Sequence, residues 1–264
     1  MPVEYEVRDG IAVITIDRPS RGNSLDYEAL TAGLPDVWQR VEHDDGVAAA
    51  VITGAGERYF CSGMDVRDPR MARIASGHEA APPMRFTSRQ HSVGKPVIAA
   101  VNGRCTGGGL MLLADSDIAL ASVSASFDNP GVSIGVAATM GAVALSRSAD
   151  FRRVLRMMLL GRGEPVDAAT ALAAGIVSEL VAPAGLLDRA MSLAALLRAN
   201  SPAAMREVKR VMWAALELPL GAALADSEDG GRRFAGHPDA AEGLGALREG
   251  RPPRWAPYSS FSSA

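Results

Sequence analysis

The chain has 264 residues, a net charge of −3 and no long basic run. This length suits one large α/β domain, and 48% hydrophobic with 22% charged residues is ordinary for a globular enzyme. The charge balance argues against nucleic-acid binding, and no apolar run reaches the ~20 residues of a membrane span. Cys61 and Cys105 form neither a C-x-x-C pair nor a metal-ligand cluster, so we expect two reduced thiols in a cytoplasmic protein without a metal site.

The first half of the chain predicts strands that are separated by helices. Residues 3–8 and 11–17 flank Asp9-Gly10, which is a strong hairpin signal. Residues 68–83 show no clean periodicity, so we expect a flexible segment there. The other predicted elements are a helix over 25–43 with a kink at Pro35, a strand over 47–53, a short helix over 84–93, a strand over 97–101, a helix from Gly107 to Asp115, strands over 117–121 and 125–127, and a helix over 139–148.

The last third of the chain is mainly helical by periodicity. We expect one short strand over 176–181 and a frayed end from Ser259 to Ala264. Strands separated by helices favour a mixed, mainly parallel sheet covered by helices. The predicted helices lie near 150–160, 167–174, 185–199, 202–216 and 220–235.

Two glycine-containing loops each follow a predicted strand. The first is Cys61-Ser62-Gly63-Met64-Asp65, and the second ends in Gly107-Gly108-Gly109 at the start of a helix. Successive glycines let a ligand touch the backbone, and free N–H groups there suit a phosphate, a carboxylate or a developing oxyanion. Neither a phosphate-loop Gly-Lys-Ser/Thr nor a G-x-G-x-x-G dinucleotide motif is present. A tight packing turn between strand and helix is the alternative interpretation.

Seven short motifs follow one another in a distinctive order. They are Arg18-Pro19-(x)3-Asn23-Ser24-Leu25, Phe60-Cys61-Ser62-Gly63-Met64-Asp65, Lys95-Pro96-Val97-Ile98-Ala99-Ala100-Val101-Asn102-Gly103, Gly107-Gly108-Gly109, Asp117-Ile118-Ala119, Phe127-(x)7-Gly135 and Ala171-(x)3-Gly175-Ile176-Val177. This order resembles the enoyl-CoA hydratase/isomerase superfamily, also called the crotonase superfamily. The resemblance runs from about residue 3 to residue 255.

The resemblance implies an α/β fold of repeated ββα turns that form a right-handed spiral. A C-terminal helical segment then drives trimerisation, often to a dimer of trimers. We therefore expect a crotonase-like core over residues 1–200 and a helical oligomerisation segment over residues 201–264. The resemblance also implies an acyl-coenzyme A thioester as substrate, with coenzyme A entering as part of that substrate and no permanently bound cofactor.

By position, the resemblance implies an oxyanion hole made by the backbone N–H groups of Met64 and Gly108. Two such donors stabilise the negative charge that develops on a thioester oxygen. The stretch from Met64 to Arg67 would follow the pantetheine and adenine parts, and Arg21 would lie near the nucleotide. Either arginine could instead be an ordinary solvated residue. The residues expected to contact substrate are Arg21, Ser62, Met64, Asp65, Val66, Arg67, Gly107, Gly108, Asn129 and Pro130.

The chain departs from the family at both acid–base positions. Hydratases of the family use two glutamates, and this chain has Met111 and Gly131 in their places. A thioether and a bare backbone transfer no protons. A general acid or base such as each missing glutamate contributes roughly 10²–10⁴ to the rate. Efficient enoyl-CoA hydration is therefore not expected. The same gap counts against a simple Δ3,Δ2 isomerase, and Thr139 stands where the dehalogenase branch has its aspartate nucleophile.

Other groups near the second position leave several activities open. Asp128 is the best remaining carboxylate for catalysis, although it could equally be a solvated or helix-capping residue. Naphthoate synthases can have glycine at the second position with bicarbonate as base, and the Asn129–Gly131 spacing fits them only loosely. We thus expect a lyase- or isomerase-type acyl-CoA enzyme with non-standard chemistry. The alternatives are a catalytically silent acyl-CoA-binding homologue and a hydratase of low residual activity.

Overall fold

The computed structural model describes residues 2–260, and its chain alternates between two sheets. The described strands are β1 (Val3–Arg8), β2 (Ile11–Ile16), β3 (Ala49–Gly54), β4 (Tyr59–Cys61), β5 (Val97–Val101), β6 (Arg104–Thr106), β7 (Ile118–Ser122), β8 (Ser126–Asp128), β9 (Val166–Asp167) and β10 (Glu179–Val181). One sheet has six strands in the order β1-β2-β3-β5-β7-β10. The other has four strands in the order β4-β6-β8-β9.

Each pair β3–β4, β5–β6 and β7–β8 crosses from the first sheet to the second. The predicted hairpin is confirmed, because β1 and β2 pair antiparallel around Asp9-Gly10. The remaining pairs of the first sheet are parallel, as are β4–β6 and β6–β8. Every residue of β5 is buried, which explains its uninterrupted apolar sequence. Repetition of these crossings confirms the predicted ββα architecture.

Ten α-helices lie among the described residues. α7 places Leu186, Ala190 and Ala194 on one stripe, and these residues pack against the first sheet. The helices are α1 (Leu34–His43), α2 (Pro69–Ala75), α3 (Gly108–Ala114), α4 (Met140–Ser146), α5 (Phe151–Leu160), α6 (Ala168–Ala173), α7 (Leu186–Arg198), α8 (Pro202–Ala215), α9 (Leu220–Ala235) and α10 (Pro238–Glu249). The last three form the expected C-terminal helical segment.

Three predictions in the first hundred residues need correction. In place of the predicted helix over 25–43, the chain forms a π-helical stretch, Ala29–Gly33, followed by α1. Pro35 lies in the first turn of α1, where the backbone N–H that proline lacks has no partner within a helix. The segment expected to be flexible contains α2, because the Asp68 side chain caps it and Pro69 starts it. Only a 3₁₀ turn, Arg89–His91, occurs within 84–93.

The C-terminal prediction was also wrong in part. The chain forms α10, which the periodicity did not predict, and then a 3₁₀ turn at Tyr258–Ser260. The Ser259 amide donates a hydrogen bond to Asp45 Oδ1 at 3.0 Å, so the end does not fray at this residue. Residues 261–264 of the predicted frayed end lie outside the described residues. None of the described helices is both long enough and apolar enough for a membrane span.

Candidate active site

The two glycine-bearing loops touch each other where they leave the second sheet. The first loop follows β4 and the second follows β6, and these strands are parallel neighbours. A Cβ built on Gly63 would lie only 2.9 Å from the amide nitrogen of Gly108. A side chain at position 63 would therefore separate the loops, and glycine allows their backbones to meet.

The Met64 and Gly108 amides both donate to no described residue. Leu25 N–H donates to the Gly63 carbonyl, and Asp65 N–H donates to the Leu25 carbonyl, each at 2.8 Å. These bonds make a parallel bridge between Leu25 and Met64, which leaves the N–H of Met64 on the side away from Leu25. Gly108 is the first residue of α3, where N–H groups have no partner in the helix. Within residues 2–260, neither amide donates a hydrogen bond.

Close backbone packing fixes the second loop. Gly107 has φ +57° and ψ −118°, a conformation that a side chain would strain. A Cβ built on Gly109 would lie 2.6 Å from the carbonyl oxygen of Cys61. The three successive glycines thus allow α3 to begin directly against the first loop.

The Asp65 side chain anchors the first loop from inside the protein. It is only 6% exposed, and its carboxylate accepts from the Arg18 guanidinium and the Arg67 amide, each at 3.0 Å. Burial opposes ionisation of this carboxyl, but the bonds from Arg67 and Arg18 outweigh it and lower its pKa. The structure therefore gives Asp65 a role in holding the loop, and its side chain is directed away from solvent.

Both cysteines lie beneath the loops as buried free thiols. Cys61 ends β4, Cys105 lies opposite it on β6, and both side chains are fully buried. Burial raises the pKa of the Cys61 thiol to about 12, and burial likewise raises the pKa of Cys105 well above its usual value. These thiols are neutral and packed in the core, so they supply no nucleophile.

The remaining predicted residues of the first loop border solvent. Arg21 ends an exposed 3₁₀ turn, and the next residue, Gly22, accepts a hydrogen bond from the Ser62 amide at 3.0 Å. Val66 is 72% exposed, and Arg67 is also exposed. The first loop and the Arg21 turn therefore form one continuous rim beside the two amides.

Asp128 and Asn129 are occupied inside the protein. Asp128 is fully buried, and both its oxygens accept from Arg104, at 2.8 and 2.9 Å. Asn129 accepts from the Gly131 amide and donates to the Ala138 carbonyl, each at 3.0 Å. The interpretation of Asp128 as a solvated or capping residue is wrong, because the side chain is buried and Arg104 holds both of its oxygens. Asn129, with Pro130 beside it, shapes the following turn.

The two positions without glutamate are closely packed. A Cβ built on Gly131 would lie 2.6 Å from the Val136 carbonyl oxygen and 3.0 Å from the Ala138 Cβ. Met111 is 8% exposed, and its Cγ lies 3.3 Å from the point where a Cβ on Gly141 would stand. The turn leaves no room for a side chain at position 131, and Met111 occupies the space beside Gly141.

Residues 132–143, which we call the apolar segment, carry exposed hydrophobic side chains that the sequence motifs did not indicate. The only signal in the sequence was the spacing of these side chains within a glycine-rich stretch. The large hydrophobic side chains are between 48% and 63% exposed, and they are Val132, Ile134, Val136, Met140 and Val143.

A separate apolar groove of about 660 Å³ lies between α8 and the core. Its walls contain none of the predicted substrate-contacting residues. Leu113 and Ala114 at the end of α3 contribute to it, so it lies behind the helix that starts at Gly108. The groove is therefore distinct from the two amides.

Comparisons with known proteins agree on one family. The sequence model of the enoyl-CoA hydratase/isomerase family matches residues 6–257. The chain is 35% identical to (E)-benzylidenesuccinyl-CoA hydratase from Thauera aromatica, over 83% of this chain and 85% of that protein. It is 31% identical to a short-chain-enoyl-CoA hydratase from Clostridium acetobutylicum, over 88% and 89% of the two chains. A crystal structure of an enoyl-CoA hydratase/isomerase from Mycobacterium paratuberculosis superposes with a TM-score of 0.87, at 36% identity and over 97% and 98% of the chains.

Proposed function

Because the chain belongs to the enoyl-CoA hydratase/isomerase family, we propose that it binds an acyl-CoA thioester at the two glycine-bearing loops. The thioester carbonyl oxygen accepts hydrogen bonds from the N–H groups of Met64 and Gly108. The observation that carries this proposal is the contact between the loops, together with two backbone amides that donate to no described residue. Two neighbouring donors without a protein partner fit a ligand oxygen that accepts from both.

The proposed chemistry is stabilisation of a thioester enolate or oxyanion. Donors that are held in place before the reaction lower the energy of a charge that grows in the transition state. The loops meet this requirement because Asp65 and the packing of Gly109 fix their backbones. The main chain supplies the charge stabilisation, and the surrounding side chains decide which reaction follows.

Efficient hydration of a simple enoyl-CoA is not part of the proposal. The named relatives are hydratases, but Met111 offers a thioether and Gly131 has no space for a side chain. We therefore propose a lyase or isomerase reaction in which a bound small base such as bicarbonate accepts the proton that leaves the acyl Cα. Asp128 is left out of this role because Arg104 holds both its oxygens.

The coenzyme A portion is proposed to follow the rim. Arg21 and Arg67 are exposed cations beside the first loop, and phosphates pair well with guanidinium groups. Val66 offers apolar contact to the pantetheine arm. Coenzyme A then enters and leaves with each substrate, and the protein needs no permanently bound cofactor.

A panel of enoyl-, 3-hydroxy- and aryl-CoA esters tests the proposal by calorimetric binding and by product analysis. We expect binding of at least one ester and crotonyl-CoA hydration slower by at least ~10² than that of a two-glutamate enzyme, since each such group contributes roughly 10²–10⁴. Free coenzyme A is the matched control, because it lacks the thioester carbonyl. Absence of binding for every ester would overturn the thioester proposal, and fast crotonyl-CoA hydration would overturn the reasoning about glutamates.

A second candidate is a catalytically silent acyl-CoA-binding homologue. The observation that favours it is the closed turn at Gly131, which removes the usual place for an acid or base. The same panel distinguishes the two functions. Binding of an ester with no product at long incubation supports the silent homologue, and any specific product excludes it.

We also propose assembly as a homotrimer or a dimer of trimers, in the cytosol. α9 packs on α8, and its Leu220 and Leu224 are 75% and 57% exposed. On α5, Phe151 and Leu159 are 61% and 65% exposed. Exposed apolar faces of this kind are typical of subunit interfaces. Light scattering on the eluted protein tests the assembly, and a monomer at micromolar concentration would contradict it.

A further inference from the structure

We propose that Met111 and Gly141 together set the size of the acyl group, and that this group carries an aromatic ring. The inference rests on the proposed function, because it concerns the part of the thioester beyond the carbonyl. Met111 lies three residues after Gly108 on α3, which puts both on one face of the helix within about one turn. A carbonyl bound at the Gly108 amide therefore has its acyl carbons next to Met111.

The contact between Met111 and Gly141 determines how much room this wall leaves. If position 141 carried a Cβ, that atom would lie only 3.3 Å from Met111 Cγ. Gly141 is buried at the start of α4, so the missing methyl group lets the methionine lie against that helix. Any larger residue at position 141 would push the thioether back toward the acyl group.

The apolar segment continues this wall toward solvent. Met140 is 56% exposed and directly precedes Gly141, and Val136 and Ile134 are exposed by about half. These side chains make the surface of the segment mainly apolar, although the exposed hydroxyl residues Ser133 and Thr139 lie among them. A pocket wall of this composition favours a bulky hydrocarbon group over a polar one.

The thioether of Met111 favours a ring over a linear chain. Sulfur makes favourable contacts with aromatic edges, and methionine adapts its three rotatable bonds to irregular shapes. A nine-carbon pair of esters isolates this effect, since 3-phenylpropionyl-CoA and nonanoyl-CoA have equal carbon counts and the same thioester. The structure thus assigns the ring-bearing ester as the tighter ligand.

Calorimetric titration of these two esters and of acetyl-CoA tests the inference on the full chain. We expect 3-phenylpropionyl-CoA to bind more tightly than nonanoyl-CoA, and Met111→Leu to reduce that preference by ~2–10-fold. Gly141→Ala should weaken binding of the phenyl ester severalfold and leave acetyl-CoA within twofold. Met111→Ala should tolerate still bulkier rings. Gly163→Ala is the control, because a Cβ there meets nothing within 4 Å.

The outcomes separate this inference from the proposed function. If no thioester binds, acetyl-CoA included, the proposed function itself fails. If thioesters bind but the nonanoyl ester binds as tightly as the phenyl ester, the ring assignment is wrong. If Gly141→Ala weakens all three esters equally while remaining folded by circular dichroism, Met111 and Gly141 do not control acyl size.

Discussion

The two sides of the proposed site are built in different ways. The oxyanion side consists of backbone that is fixed from several directions, by the Leu25 bridge, by the Arg18–Asp65 ion pair and by glycine contacts at positions 63 and 109. The acyl side combines buried Met111 and Gly141 with half-exposed apolar side chains on residues 132–143. Substitutions on the first side should therefore alter both stability and chemistry, and substitutions of the exposed side chains on the second should alter ligand preference alone.

This contrast explains how one scaffold supports different reactions. Backbone amides persist whatever side chains surround them, so the proposed charge-stabilising part can remain where Met111 and Gly131 stand in place of glutamates. Side chains on the acyl side are free to change because little of the fold depends on them.

The largest effect is expected from Gly63→Ala. The added Cβ would stand 2.9 Å from the Gly108 amide nitrogen, and Gly63 has φ +89°, so the loops must move apart. Loss of one oxyanion donor typically lowers the rate by ~10²–10³. We expect a loss of this size in kcat/KM for whichever ester the panel identifies.

Gly250→Ala is the matched control for backbone strain. Gly250 also has a positive φ, +64°, but a Cβ there meets nothing within 4 Å. It should lower the melting temperature slightly and leave kcat/KM unchanged. Equal rate losses in the two variants would mean that strain, and not the contact between loops, causes the effect.

Asp65→Asn should destabilise the oxyanion side by ~1.5–3 kcal/mol, since it weakens hydrogen bonds to a buried charge. The folded pKa of Asp65 lies below its ordinary value of 3.8, so its ionised form stabilises the fold above pH 3.8. That contribution disappears as the pH falls through the folded pKa. Urea unfolding at pH 7 and at pH 3 should show a smaller difference from wild type at pH 3 than at pH 7. A difference independent of pH would refute the electrostatic account.

Much of the architecture could be predicted from the sequence. Asp9-Gly10 marked the hairpin, and the apolar run over 97–101 marked a central strand, because both signals are local. Periodicity did not predict the helix at Pro69–Ala75, because seven residues are too few to show a helical period. The decisive signal for this helix is its N-cap residue, Asp68. Local signals therefore predicted the hairpin and the central strand, whereas the short helix was not predicted.

The packing around the site could not be predicted from the sequence. Two contacts depend on which strands and turns become neighbours in space. Arg104 donates hydrogen bonds to both oxygens of Asp128, and the Val136 carbonyl packs against Gly131. The resemblance to the family identified the two positions without glutamate. The structure adds that a glutamate at position 131 would be sterically blocked.

Gly131→Ala should destabilise the protein by ~1–3 kcal/mol, the usual range for overpacking. Its Cβ would meet a backbone carbonyl at 2.6 Å, and a carbonyl cannot move aside as a flexible side chain would. The same contact limits any hydration gained by Met111→Glu with Gly131→Glu. Thermal unfolding of Gly131→Ala, compared with the control Gly163→Ala, measures the loss of stability. An unchanged melting temperature would show that the turn opens freely.

The smallest change in stability is expected from Ile134→Ser on the acyl side. Ile134 is 48% exposed, so the lost burial is small and the free energy of unfolding should change by less than ~1 kcal/mol. Its effect should appear in ligand binding: the phenyl ester should bind more weakly while acetyl-CoA is unaffected, because only the longer acyl group reaches the apolar segment. Paired unfolding and titration of this variant test the contrast directly. If Ile134→Ser lowered stability as much as Asp65→Asn, the acyl side would be as firmly built into the fold as the oxyanion side, and freedom to vary could not explain its composition.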